Sequence, residues 1–162
     1  MSLVIRGATA EDFPAVAAMF TALSRYENTI SNDRRTDEAG GEAAMRGALE
    51  EVERSAGYPL VATVDDHIIG FLFLAFRTDH AFIRPDLQPH AYVTDMFVAE
   101  THRRQGIGTA LLQEAERLAA KKGVPRIGIG VLVGNTKTEA LYQRAGYTPY
   151  ATEMIKPLKN NP

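Results

Sequence analysis

Residues 91–112 read AYVTDMFVAETHRRQGIGTALL, and the reading of this stretch decides the rest. Ala91 to Val98 is an apolar, strand-like run. It leads into a basic turn, Arg103-Arg104-Gln105-Gly106-Ile107-Gly108, and the turn opens a helix that runs from Gln105 to Lys122. Gly106 and Gly108 carry no Cβ, so the backbone there can approach a ligand closely. The first N–H groups of a helix lack intrahelical acceptors and carry partial positive charge, which suits phosphate or pyrophosphate. Arg103 and Arg104 flank that helix start, and a planar guanidinium matches phosphate oxygens. The turn therefore reads as a pyrophosphate site; the plainer alternative is a solvent-exposed helix start that carries arginines. A P-loop is excluded, because it ends Gly-Lys-Ser/Thr where this turn runs Gly-Ile-Gly-Thr109. A dinucleotide fingerprint needs a third glycine where Leu111 stands. The other glycine run, Gly128 to Gly134, sets its last glycine one place late and lies within a strand pattern.

Further along, Asn135-Thr-Lys-Thr-Glu-Ala-Leu-Tyr142-Gln-Arg-Ala-Gly146-Tyr147 reads as a helix over Thr136 to Ala145. Asn135 is its natural N-cap and Gly146 ends it. Tyr142 falls near the same helical face as Asn135. From the residues alone, Asn135 is a cap and Tyr142 fills the core.

These two segments resemble the GCN5-related N-acetyltransferase (GNAT) family, over roughly residues 91–150. Arg103, Gly106 and Gly108 fill the fixed positions of that family's acyl-CoA motif, Arg/Gln-x-x-Gly-x-Gly/Ala. The second segment resembles its closing Asn…Ala/Leu-Tyr…Gly-Phe/Tyr signature, in the family's order and at about its spacing. The resemblance implies an α/β, GNAT-like domain: a mixed, mostly antiparallel sheet flanked by helices, with the central strands around the main helix splayed apart. Acetyl-CoA is the implied co-substrate, with its pantetheine arm in the gap. Phe97 and Val98 would supply main-chain contacts to that arm. Arg103, Arg104, Gln105, Gly106, Ile107, Gly108 and Thr109 would hold the pyrophosphate. Asn135 would contact the cofactor arm as well as cap its helix. The Tyr142 hydroxyl would protonate the departing thiolate, a general-acid role.

The implied reaction is direct acetyl transfer to a primary amine on a small molecule or peptide, with the Val98 N–H polarising the carbonyl. No covalent enzyme intermediate is needed. Asp95 is the candidate base, with Glu100 or a water held by Thr94 as rivals. Some polyamine-acetylating relatives carry glutamate where this chain has Thr94, so their base does not carry over. Thr94 and Asp95 are polar within an apolar strand, and strand alternation sets them on opposite faces. The rival from another class is a CoA-binding or sensing domain that keeps the fold without activity. Homodimerisation is common in that family, with the last strands as the expected contact.

At 162 residues the chain is long enough for one proper core, and a single domain over 1–158 with a loose tail at 159–162 is expected. Its formal net charge of −2 argues against nucleic acid as a partner. There is no cysteine, which excludes disulfides and thiol nucleophiles and fits a cytoplasmic setting. No signal peptide or membrane-length apolar run is visible, so no membrane partner is expected. His80 and His90 fit no ligand spacing, and no metal is expected.

In chain order, Leu3 to Arg6 reads as a strand. A helix follows, capped by Thr9 or Asp12, with Phe13, Val16, Ala17, Phe20 and Leu23 inward. Ser24 to Asp37 reads as a polar connection. Tyr26 and Glu27 are candidates there for amine binding, since the resemblance puts this region at the acceptor wall; otherwise they are solvated surface. Glu38 to Ser55 reads as a helix with Ala44, Leu49 and Val52 inward. Gly40, Gly41 and Gly47 weaken it, so a frayed start is expected. Tyr58 to Val64 and Ile68 to Phe76 form a hairpin around Asp65-Asp66-His67. Phe71 to Phe76 is apolar on both faces, hence central. Arg126 to Val133 reads as a strand whose glycines suggest something lying close to the backbone. Tyr147 to Ile155 reads as a last strand.

Overall fold

The alternating apolar runs become β1 (Leu3–Gly7), β2 (Tyr58–Val64), β3 (His67–Thr78), β4 (Pro89–Val98) and β5 (Ile127–Ile129) of one five-stranded sheet, in sequence order. The computed structural model describes residues 2–159; Met1 and residues 160–162, most of the expected tail, lie outside it. Neighbouring strands are antiparallel except β4 and β5, which are parallel. The β2–β3 turn places Asp65 and Asp66 at φ 48° and 63°. Both values are positive, as a two-residue type I′ hairpin requires, and aspartate tolerates that region.

β3 is central and buried on both faces, as its unbroken apolar run predicts. Phe71 and Phe73 point to one side, where they meet Val16 and Phe20 of α1 (Phe13–Ser31) and Val52 of α2 (Glu38–Arg54). Phe20 stacks on Phe71 at 4.5 Å between ring centroids and meets Phe73 edge-on at 5.5 Å. Leu72 and Leu74 point to the other side, toward α3 (Ile107–Lys122). The six residues of the α3 stripe, Ile107, Leu111, Leu112, Ala115, Leu118 and Ala119, are all buried. Gly123, at φ +80°, ends α3. The short α4 (Thr136–Arg144) lies on this side too, through Tyr142.

Two expected strands differ. Only Ile127–Ile129 of the 126–133 run pairs, and residues 148–159 form no strand. The glycines in and just after β5 make room for a side chain of the protein itself. A Cβ on Gly128 or Gly130 would meet the Tyr92 ring or hydroxyl at 3.1 Å. Pairing with β4 stops at Val93–Ile129, although β4 continues to Val98. The strands therefore part, and residues 94–98 keep an open edge on that side.

The helices before β2 also depart from expectation. Ser24 to Ser31 are helical rather than a connection. No glycine or proline interrupts them, and α1 stops only at Asn32, in the left-handed region at φ 54°. Asp12 makes no side-chain cap on α1; Thr9 is the N-cap of the short 3-10 turn Ala10–Asp12 before it, where its N–H donates to the Asp12 carboxylate at 2.7 Å, and Asp12 also pairs with Arg6 at 2.7 Å. In α2, Ala44 is exposed, while Val52 is buried and Leu49 packs beside it. Gly40 and Gly41 do not fray the helix; both are buried within it. A Cβ on Gly41 would lie 2.8 Å from the backbone nitrogen of Thr21 on α1, so the two helices cross at a glycine. Nothing lies within 4 Å of the same position on Gly47. Gly41→Ala should thus destabilise the fold by about 1–3 kcal/mol through overpacking. Gly47→Ala should stabilise it by about 0.5–1 kcal/mol through helix propensity. Urea denaturation of the two variants checks the contrast; equal effects would mean that helix propensity alone governs both sites.

Candidate active site

The site is built on one extra residue in β4. Val93 pairs with Leu74 and Asp95 with Phe73, so Thr94 is inserted as a β-bulge. Val93 and Met96 consequently share the α3 side, and the residues between them turn to the α1–α2 side. This overturns the expectation that Thr94 and Asp95 must face apart. The Thr94 hydroxyl donates to the Phe73 carbonyl oxygen over 3.5 Å. Asp95 has no ion-pair partner among the described residues. Burial pushes its carboxyl up to about 6, helped by the charges of Glu27 and Glu51 and opposed by the Thr94 hydroxyl and Arg77.

Glu51, Arg77 and Tyr92 complete this corner, and no motif in the sequence marks them. Arg77 Nε donates to Glu51 Oε1 at 2.7 Å, and its guanidinium lies 3.9 Å from the Tyr92 ring centroid. Their signal lies in the register: once the bulge is known, Tyr92 and Asp95 fall on one face. Glu27 is half-buried and reaches the corner by its charge, but its carboxylate accepts Arg34 Nε at 2.9 Å. Glu100, the rival base, is exposed in the turn after β4.

The basic turn lies beyond the open edge of β4. Arg104 and Gly106 adopt φ 61° and 79°, which curls the chain into the start of α3. The first intrahelical bond runs from Ala110 N to Gly106 O, and no side chain caps the helix. The amides of Ile107, Gly108 and Thr109 are therefore free of intrahelical partners. A Cβ on Gly106 would meet nothing within 4 Å, so this position faces open space. On Gly108 it would meet Leu141 of α4 at 3.3 Å. Gly108 thus serves close helix packing, and only Gly106 stands open as the sequence suggested for both. Arg103, Arg104 and Gln105 are exposed. Arg103 Nε donates to the Val98 carbonyl at 2.9 Å, and its guanidinium sits over the Phe97 and Tyr26 rings at 5.3 and 5.8 Å.

Across the gap stands α4. Asn135 occupies the N-cap position but makes no side-chain cap; its Oδ1 accepts the Tyr26 hydroxyl at 3.0 Å. Tyr142 is buried, and burial with the nearby charge of Glu27 raises its hydroxyl well above the usual phenol range. It remains protonated at neutral pH. The structure thus gathers Tyr26, Phe97, Val98, Arg103 and Asn135 around the gap. Glu27 influences both Asp95 and Tyr142.

A profile of the acetyltransferase (GNAT) family matches residues 17–147. The chain belongs to that family. Solved structures agree in fold. A GCN5-related N-acetyltransferase from Ralstonia eutropha is 22% identical, with a TM-score of 0.74, covering 97% of this chain and 99% of its own. An aminoglycoside 6′-N-acetyltransferase from Acinetobacter haemolyticus is 19% identical, with a TM-score of 0.71 and coverage of 98% and 99%. AAC(6′)-Iy bound to a CoA-containing bisubstrate analogue is 16% identical, with a TM-score of 0.72 and coverage of 98% and 99%. At these identities the likeness is one of fold.

In this GNAT chain no described helix is long and apolar enough to cross a membrane, and no described cluster of three acidic or histidine side chains could hold a metal. The electrostatics of Asp95 give a direct test. Its carboxyl titrates near 3.8 when unfolded and about 6 when folded. The folded state therefore favours the protonated acid, and that advantage is lost as pH rises through about 6. Asp95→Asn should gain in stability over the parent from pH 4 to pH 7 and then level off, by at most about 2–3 kcal/mol. Melting temperatures across that range check it; a constant difference would mean that Asp95 is as well solvated folded as unfolded.

Proposed function

We propose that this chain moves the acetyl group of acetyl-CoA directly to a primary amine, acting in the cytoplasm. The observation that carries the proposal is the open edge of β4 beyond Val93, which runs toward the uncapped start of α3. An extended amide-bearing arm ending in a pyrophosphate matches that pairing of an open strand edge with free helix amides. Phe97 and Val98 would bind the arm through their main chain. Residues 103–109 would hold the pyrophosphate, with Arg103 and Arg104 supplying charge.

Acetyl-CoA supplies the activated acetyl thioester. The amine nitrogen forms a bond to the acetyl carbon as the carbon–sulfur bond breaks. One amine proton passes to Asp95, directly or through water. A carboxylate near pKa 6 is ionised at neutral pH yet basic enough to accept a proton. The Val98 N–H would stabilise the charge that develops on the carbonyl oxygen. Tyr142, still protonated, gives its proton to the departing thiolate and recovers one from solvent.

The acceptor class is a primary amine of a small molecule or peptide. Asp95, Glu27 and Glu51 favour one that carries positive charge. A homodimer through the C-terminal segment belongs to the same reading. It is supported by the exposed Tyr150, Met154, Ile155 and Leu158, and light scattering of the intact chain should give twice the chain mass.

Acetyl-CoA should bind in a calorimetric titration in which ATP does not compete, and thiol should be released with one class of amine in a panel. Binding without release on any amine would favour a CoA sensor instead. Tyr142→Phe should lower kcat by about 10²–10⁴-fold and leave acetyl-CoA affinity within about twofold. Unchanged turnover at every pH would make Tyr142 a packing residue.

A further inference from the structure

Tyr26 and Ile30 stand four residues apart on α1 and share one face. That face meets the loop before α4 at two adjacent residues. The Tyr26 hydroxyl donates to Asn135 Oδ1 over 3.0 Å, and the Ile30 Cγ2 would lie 3.4 Å from a Cβ on Gly134. α1 belongs to the Phe71–Phe73 face of the sheet, and α4 belongs to the opposite one. The contact therefore crosses the gap where β5 leaves β4.

Folding of the loop does not account for the Asn135 side chain. The local bonds there are backbone bonds, from Asn135 N to Leu132 O and from Glu139 N to Asn135 O. The amide oxygen is engaged by Tyr26, and Nδ2 makes no hydrogen bond among the described residues. Nδ2 is not one of the fully enclosed polar atoms, so it stands as an unengaged donor that a ligand can reach.

We infer that Tyr26 is a positioning residue of the cofactor slot rather than a ligand of the acceptor amine. Its hydroxyl fixes the Asn135 oxygen toward α1. The two ends of an amide point apart, so Nδ2 is turned away from α1 as a donor for a cofactor amide carbonyl. Arg103 closes the arrangement from the other side, with its guanidinium over the Tyr26 ring. The inference rests on the proposed use of acetyl-CoA. It also links the two halves of the site, because Glu27 follows Tyr26 directly and feels any change in how α1 is held.

The test is a double-mutant cycle read by calorimetric affinity for acetyl-CoA. Tyr26→Phe keeps the ring over Arg103 and removes only the hydroxyl. It should weaken binding about five-fold, the worth of a typical hydrogen bond. Asn135→Ala should weaken binding at least as much, and the double variant should bind no more weakly than Asn135→Ala alone. Should Asn135→Ala not fold, Asn135→Ser takes its place in the cycle. A merely structural Tyr26 would instead give penalties that multiply in the double variant. That result, or parental affinity in Tyr26→Phe, overturns the inference. Failure of the parent protein itself to bind acetyl-CoA would overturn the proposed function first, and is seen before any variant is compared.

Discussion

The single residue inserted at Thr94 is the constraint on which the rest of this site depends. A bulge adds local twist and re-aims the side chains that follow it. Here it falls just after Val93, the last residue of β4 that pairs with β5. The same place therefore does two things. It brings Asp95 round to the α1–α2 face, and it coincides with the parting of the strands that leaves residues 94–98 with an open edge. Paired without the bulge, the same residues would set Asp95 opposite Leu72 on the α3 side, among Leu72, Leu74 and Leu111, where apolar surroundings offer a carboxylate no partner.

Much of the fold was legible because its signals are local. The α3 stripe is periodic, its stop is a glycine, and the β2–β3 turn is a pair of residues that tolerate positive φ. The family resemblance rests on the same kind of signal, fixed spacings within one turn and one helix. The bulge was not legible. It is a property of how two strands pair, and the Val-Thr-Asp-Met run looks like plain alternation until the partner strand is known. The length of α1 is hidden for a related reason. Ser24 to Ser31 is polar because it borders the site and solvent, and a polar helical segment has the composition of a connection.

The glycines show the same limit. A glycine signals that something comes close, but not what. On β5 the close neighbour is Tyr92, on α2 it is the backbone of α1, and at Gly108 it is Leu141. Gly106, Gly123 and Gly146 face open space with a conformation that other residues rarely adopt, and of these Gly106 alone lies in the basic turn. Of the two glycines in the motif, one thus shapes the candidate ligand turn. The other lets α3 sit close against α4, which carries Asn135 at its cap and Tyr142 on its inner side.

That close packing bears on the chemistry. Burial alone would raise both Asp95 and Tyr142, yet the outcome differs because their ordinary values differ. Asp95 moves to about 6 and is ionised at neutral pH, whereas Tyr142 moves further from neutrality and keeps its proton. One kind of environment thereby leaves one group ionised and the other protonated, the pairing that the proposed acetyl transfer would use. Glu27 raises both groups and is itself neutralised by Arg34. A cationic acceptor that entered beside Glu27 would compete with Arg34 for it and draw Asp95 toward its ionised form. In the proposed reaction the acceptor's own charge would then help to ready Asp95 as its base, while Tyr142, further from its titration range, would stay protonated throughout.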